Sequence, residues 1–151
     1  MTHGPRHQLA VAQLVQLNAA LVAAGFHMRV QSPIAIGPSH EPEPDGLVLP
    51  GRPVLYRGRS PRADEACLVI EVADSSLDTD RTVKLRMYAT AAIPEYWIVN
   101  LRDDIIESYK RPDTLKGAYL DRNDRAHGDR IEIKLPNVSS LQIAVDDIIA
   151  D

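Results

Sequence analysis

With a single cysteine, Cys67, the chain of 151 residues cannot form an internal disulfide or a cysteine-cluster metal site. Cys67 lies in an apolar run, where a thiol reads as a small core residue rather than a nucleophile. Basic residues are not in excess: the formal net charge of −4 argues against a general nucleic-acid coat, though not against a local basic face. No apolar stretch is long enough to span a bilayer. The opening "MTHGPRHQLA" is not a basic region followed by an apolar core, so no signal peptide is expected. A cytoplasmic protein with no membrane partner is the expectation. The five histidines show no zinc spacing. A glycine-rich phosphate loop, a nucleophile elbow, internal repeats and low-complexity segments are all missing.

What is present is an average globular composition, 44% hydrophobic and 25% charged, over a length that makes one ordinary domain, residues 1–151. Residues 7 to 24 read as a helix, with Leu14, Leu17 and Leu21 at helical spacing, Val11 and Val15 widening the stripe, and Gly25 as its stop. "MRVQSPIAIG" reads as a strand broken at Pro33. A proline-rich approach, "HEPEPDG", leads into a short strand from Leu47 to Leu49. Residues 50 to 64 read as loop, with Val54 to Tyr56 extended.

"ACLVIEVA" is the strongest strand signal and is apolar on both faces, the pattern of a covered central strand. Cys67 and Val69 fall on one face, and Leu68, Ile70 and Val72 on the other. "DSSLDTD" supplies capping residues for a helix over "TDRTVKLRMYATA". "EYWIVNL" and "DIIESYK" read as strands joined by a tight turn. "AYL", "RIEIKL" and "LQIAV" are the candidate strands of one or two weaker hairpins. Tyr96 and Trp97 read as sheet packing rather than a stacking platform. This order predicts an α/β or α+β layer fold, a mixed sheet flanked by helices.

Glu71 stands in the run that asks to be buried, on the face of Val69. A buried carboxylate is normally paired, neutralised or bound to a metal. Asp45, Lys84 and a divalent cation are the three candidate partners. Asp80, Lys84 and Tyr88 are spaced to line one side of a helix, and Asp80 to Lys84 is the favourable orientation for an ion pair. Taken alone, that pattern is a solvated face with a surface salt bridge. Taken with an acid at a strand start and another at the end of a central strand, it is what metal-assisted phosphodiester cleavage requires. Hard cations such as Mg²⁺ bind carboxylate oxygens and activate water, and a nearby lysine can orient that water or stabilise developing charge. Arg52, Arg57, Arg59 and Arg62 in the loop, and Arg81 in the helix, read equally as phosphate contacts or as solvated cations.

Pro44-Asp45 followed by "VIEVA" resembles the restriction-endonuclease-like PD-(D/E)XK superfamily. More narrowly, "EPEPDGLVL … CLVIEVADSSLDTDRTVKLRMYATAAIPEYWIVN" resembles the Uma family of bacterial restriction endonucleases, over about residues 40 to 100. The resemblance implies a restriction-endonuclease-like α/β fold and an endodeoxyribonuclease that uses Mg²⁺ or Mn²⁺ to cut DNA. Asp45 and Glu71 would be metal ligands, with the Val72 carbonyl as a third. The superfamily lysine falls two places after the acid, where this chain has Ala73. Lys84 fits the displaced helix position of the Uma family, with Asp80 and Tyr88 supporting it. The first helix has no acid, so His7, Gln13 or Gln16 would serve there, or that position is unused. Glu41 and Glu43 read as a stiff exposed segment, and Asn100, where relatives carry an aspartate, as a turn residue. Specificity would come from a homodimer, a partner protein or loops. The alternative is a catalytically silent member of the fold that binds nucleic acid or protein.

Overall fold

The computed structural model describes residues 3–150. Two short helices, α1 (Pro5–Gln16) and α2 (Asn18–Ala23), replace the single predicted helix. They divide at Leu17, whose N–H reaches Leu14 O at 3.1 Å, a tightened turn that redirects the chain. Their shared stripe, Ala10, Val11, Leu14, Leu17 and Leu21, is buried as the spacing requires.

Six strands follow in one sheet: β1 (Phe26–Val30), β2 (Gly46–Pro50), β3 (Leu68–Ala73), β4 (Glu95–Asn100), β5 (Ile105–Asp113) and β6 (Ala118–Ala126). Their spatial order is their chain order. All neighbours are antiparallel except β3 and β4, which are parallel. A parallel pair needs a crossover, and here it is helical: α3 (Leu77–Thr79), a π-helical segment at Asp80–Lys84, and α4 (Leu85–Thr90). A separate hairpin, β7 (Arg130–Ile133) with β8 (Leu141–Ala144), completes the chain.

The sheet is covered on both faces, as the apolar runs of β3 and β4 demand: every residue of both strands is buried. One face carries α1, α2 and residues of the β7–β8 hairpin against Leu68, Ile70, Val72 and Trp97. The other carries Leu77 and Tyr88 of the crossover against Val69, Ala73, Tyr96 and Ile98.

Four expectations are corrected. Val54 to Tyr56 form a 3₁₀ turn, Pro53–Tyr56, because proline at its first position presets the turn. Cys67 precedes β3 and packs with the helix-covered face rather than with Val69. β6 runs nine residues where only "AYL" was read, since its polar side chains hide a strand held by pairing to β5. The crossover helix contains a π segment that apolar periodicity does not reveal.

Leu14 is fully buried between α1 and the sheet. Leu14→Ala is expected to cost about 2–5 kcal/mol, from lost transfer energy and the cavity left behind. Urea unfolding would read this as a lower midpoint with an unchanged slope.

Candidate functional site

Gly46 pairs with Ile70 and Leu47 with Val69, so one further step of the same register sets Asp45 opposite Glu71. Asp45 Oδ2 accepts the Val72 N–H at 2.8 Å. The same oxygen lies 3.3 Å from His7 Nε2, which comes from the first turn of α1. Of the three α1 side chains named for the acid-free first helix, His7 is the one with a described contact to Asp45. Its other nitrogen, Nδ1, is buried without a hydrogen-bond partner among the described residues, and its ring stacks on His3 at 3.7 Å.

Glu71, 3% exposed, accepts the Tyr88 hydroxyl at 2.8 Å and lies 3.4 Å from Lys84 Nζ. Lys84 Nζ is also 3.2 Å from Asp80 Oδ1. Asp80 is fully buried, so this side of the helix is not the solvated face that its spacing alone suggested. Ser76 donates to Asp80 Oδ2 at 2.8 Å, and the Tyr96 hydroxyl donates to the Asp80 carbonyl at 3.0 Å. Ala73 is small and packed in the core, and the ammonium enters from the crossover instead of from β3.

Burial pushes the Glu71 carboxyl up to about 7; Lys84 and Tyr88 oppose the rise, and the charges of Asp45 and Asp80 add to it. Burial also raises Asp80, against the pull of Lys84 and Ser76. Burial works to lower Lys84, yet Glu71 and Asp80 outweigh it and hold the ammonium above its ordinary value. The cluster therefore sets two carboxylates, Glu71 and Asp80, on one ammonium, with a third, Asp45, beside Glu71 and in contact with His7.

Among the described residues, no group of three or more His, Cys, Asp or Glu side chains is arranged to hold a metal ion. The pair Asp45 and Glu71 nevertheless suits a hard divalent cation, which is held by one or two carboxylates and keeps several waters. Asp80 Oδ1 is buried with the Lys84 ammonium as its partner at 3.2 Å.

The structure gathers Asp45, Glu71, Val72, Asp80, Lys84 and Tyr88 in one place. The five arginines read as phosphate contacts do not join them; Arg62 pairs with Asp64, its Nε at 3.2 Å. Arg59 is fixed bidentately on Glu65 at 2.7 and 2.9 Å. Arg81 is fixed on Glu107, its Nη2 at 2.6 Å. Arg52 and Arg57 are exposed but follow Pro50, the end of β2 remote from Asp45. Asn100, expected in a turn, is instead the fully buried last residue of β4, and its Oδ1 accepts the N–H groups of Arg102 and Asp103 in the turn that follows. Cys67 is a buried thiol pushed up to about 11 by desolvation.

Glu107 was missed. It is fully buried, in lateral register with Glu71 through Ile98. Besides Arg81 it accepts from Tyr109 at 2.6 Å and Asn100 at 2.9 Å. Its signal was available: a carboxylate inside the strand "DIIESYK", the same anomaly that singled out Glu71. Through Arg81 it anchors the π segment that also carries Asp80 and Lys84.

A family model, Uma2, described as "Putative restriction endonuclease", matches residues 1–146. No curated protein matches the chain. Among solved structures, one from Anabaena variabilis, described as "a putative nuclease belonging to DUF820", superposes with a TM-score of 0.69 at 14% identity. The alignment covers 99% of this chain and 83% of that one. At that identity the likeness shows a shared fold. No helix among the described residues is long and apolar enough to cross a membrane.

Burial works to raise Glu107, but Arg81, Tyr109 and Asn100 outweigh it and hold its carboxyl below the ordinary 4.5. Its stabilising contribution is therefore complete above that value and lost as pH falls through the lowered folded one. Glu107→Gln is expected to cost about 3 kcal/mol at neutral pH by stranding Arg81. The gap to wild type should close on acidification below the ordinary value, as followed by urea unfolding over a pH series.

Proposed function

This chain belongs to the Uma2 family of restriction-endonuclease-like proteins, and we propose that it is a divalent-metal-dependent endodeoxyribonuclease acting on DNA in the cytoplasm. The observation that carries the reading is the cluster in which Lys84 Nζ lies 3.4 Å from Glu71 and 3.2 Å from Asp80, beside Asp45 on the neighbouring strand. Asp45, Glu71 and the Val72 carbonyl would hold Mg²⁺ or Mn²⁺. When bound, that cation supplies Lewis acidity at the scissile phosphate.

The remaining roles belong to the chain's own groups. Lys84, more than a third of its side chain exposed, can reach a water or a phosphoryl oxygen without leaving the cluster. Its ammonium would orient the attacking water in line with the scissile bond and stabilise charge developing on the phosphate. Asp80 keeps that ammonium protonated and aimed. Tyr88 fixes the Glu71 carboxylate by donating to Oε2. The Val72 N–H and His7 hold Asp45 in its rotamer. Arg59 and Arg81 are held by their own carboxylates, which leaves Arg52 and Arg57 as the loop cations free to meet DNA away from the cleavage point.

Cleavage of supercoiled plasmid tests the proposal. Wild type should nick it with Mg²⁺ or Mn²⁺ and not with chelator. Asp45→Ala, Glu71→Ala and Lys84→Ala should each lower the rate at least about a hundredfold, the scale of losing one charge-stabilising group. An inert wild type that still shifts DNA on a gel would favour the silent binding module instead. Nicking that survives all three substitutions would remove this site from consideration.

A further inference from the structure

β6 closes the sheet, and among the described residues no strand pairs with its outer edge. An open edge of nine residues is a template for another strand, and proteins commonly shield such edges with charge. The charges on β6 are ordered in a way that shielding alone does not require. Its centre reads Leu120-Asp121-Arg122-Asn123-Asp124-Arg125-Ala126. Laid antiparallel against its own copy about Asn123, Asp121 meets Arg125, Arg122 meets Asp124, Leu120 meets Ala126, and Asn123 meets itself. Every charge faces the opposite sign.

We propose that β6 is a dimerisation edge, joining β6 of a second copy of this chain about a two-fold axis at Asn123 to form one continuous sheet. Such an isologous contact needs a self-complementary surface, and cross-strand pairs of opposite charge stabilise an antiparallel ladder where like charges oppose it. The register is specified too. Sliding the copy two residues one way sets Arg122 against Arg122, and two residues the other way sets Asp124 against Asp124. A one-residue slip turns each side chain to the wrong face.

The side chains are disposed for this contact. Arg122 and Asp124 share the face of Tyr109 and Glu107, and pair within the chain at 3.0 Å. Across the axis, two such pairs would close a ring of four alternating charges. On the opposite face Asp121 is held by Arg111 at 2.7 and 2.8 Å. Arg125 donates only to the Asp124 carbonyl at 3.2 Å and has no carboxylate partner among the described residues. Its charge is the one that the second copy's Asp121 would answer. Leu120, 58% exposed, would be covered opposite Ala126. Two asparagine amides meeting on a two-fold axis can donate and accept reciprocally.

Sedimentation velocity from micromolar to submillimolar protein decides the matter, independently of any nuclease activity. Wild type should dimerise reversibly. Arg125→Asp should weaken the dimer about tenfold or more by opposing two acids. Asn123→Arg should weaken it similarly by opposing two arginines on the axis. Circular dichroism checks that each variant is folded. A wild type that stays monomeric throughout overturns the proposal. So does a dimer indifferent to the single substitutions.

Discussion

A carboxylate on the central strand of a sheet covered on both faces loses its hydration, and its neighbours must make up the loss. Glu71 stands in that position, and much of the molecule is arranged around it. The strand cannot supply the cation, because the place two residues on is Ala73, packed in the core. The cation must come from the crossover that β3 and β4 need in any case to run parallel. Lys84 comes from there, bringing Asp80, and the Tyr88 hydroxyl donates to the same Glu71 oxygen, Oε2, that faces the ammonium. Asp80, Arg81 and Lys84 all engage groups at the sheet surface from five consecutive residues. A π-helical segment, with its wider turn, spans just those residues.

Glu107 extends the same logic one element further. It lies two strands away from Glu71 in the same lateral row and receives Arg81, the residue after Asp80. Two buried carboxylates on β3 and β5 thus hold one helical turn by two cations. Each contact restricts the other, since moving the turn to relax one pair would strand a charge of the second. The lysine is in this way displaced from the strand without being loosely held.

Those parts of the fold that depend on local pattern were legible. The apolar run of β3, the leucine stripe of α1 and the acid-to-lysine spacing of Asp80 and Lys84 each have one structural reading once burial is considered, and the structure carries all three. What was hidden depends on pairing across distance. β6 is polar on both faces and exists as a strand because β5 provides the ladder. The loop arginines look like a phosphate-binding run, but Arg59 closes on Glu65, and Arg52 and Arg57 follow the wrong end of β2. His7 could be named only as one of three substitutes for a missing acid. Its contact with Asp45 depends on how α1 crosses the sheet, which no spacing reports.

A purely structural ion pair would be a poor reason to keep this cluster. Replacing a buried pair by apolar residues of similar volume is often neutral or stabilising, because desolvation consumes the Coulombic gain. The cluster here is also unbalanced. Glu71 and Asp80 share a single ammonium while Asp45 turns to His7, and burial, with the charges of Asp45 and Asp80 adding to it, pushes the Glu71 carboxyl up to about 7. A site built for stability alone would have matched its charges. One built to receive a further positive charge would be expected to hold carboxylates in excess, fix their rotamers by Val72, His7 and Tyr88, and leave its lysine partly open to solvent. The geometry around Glu71 has each of those features, and this imbalance, more than the presence of any one residue, favours a working site over a silent fold.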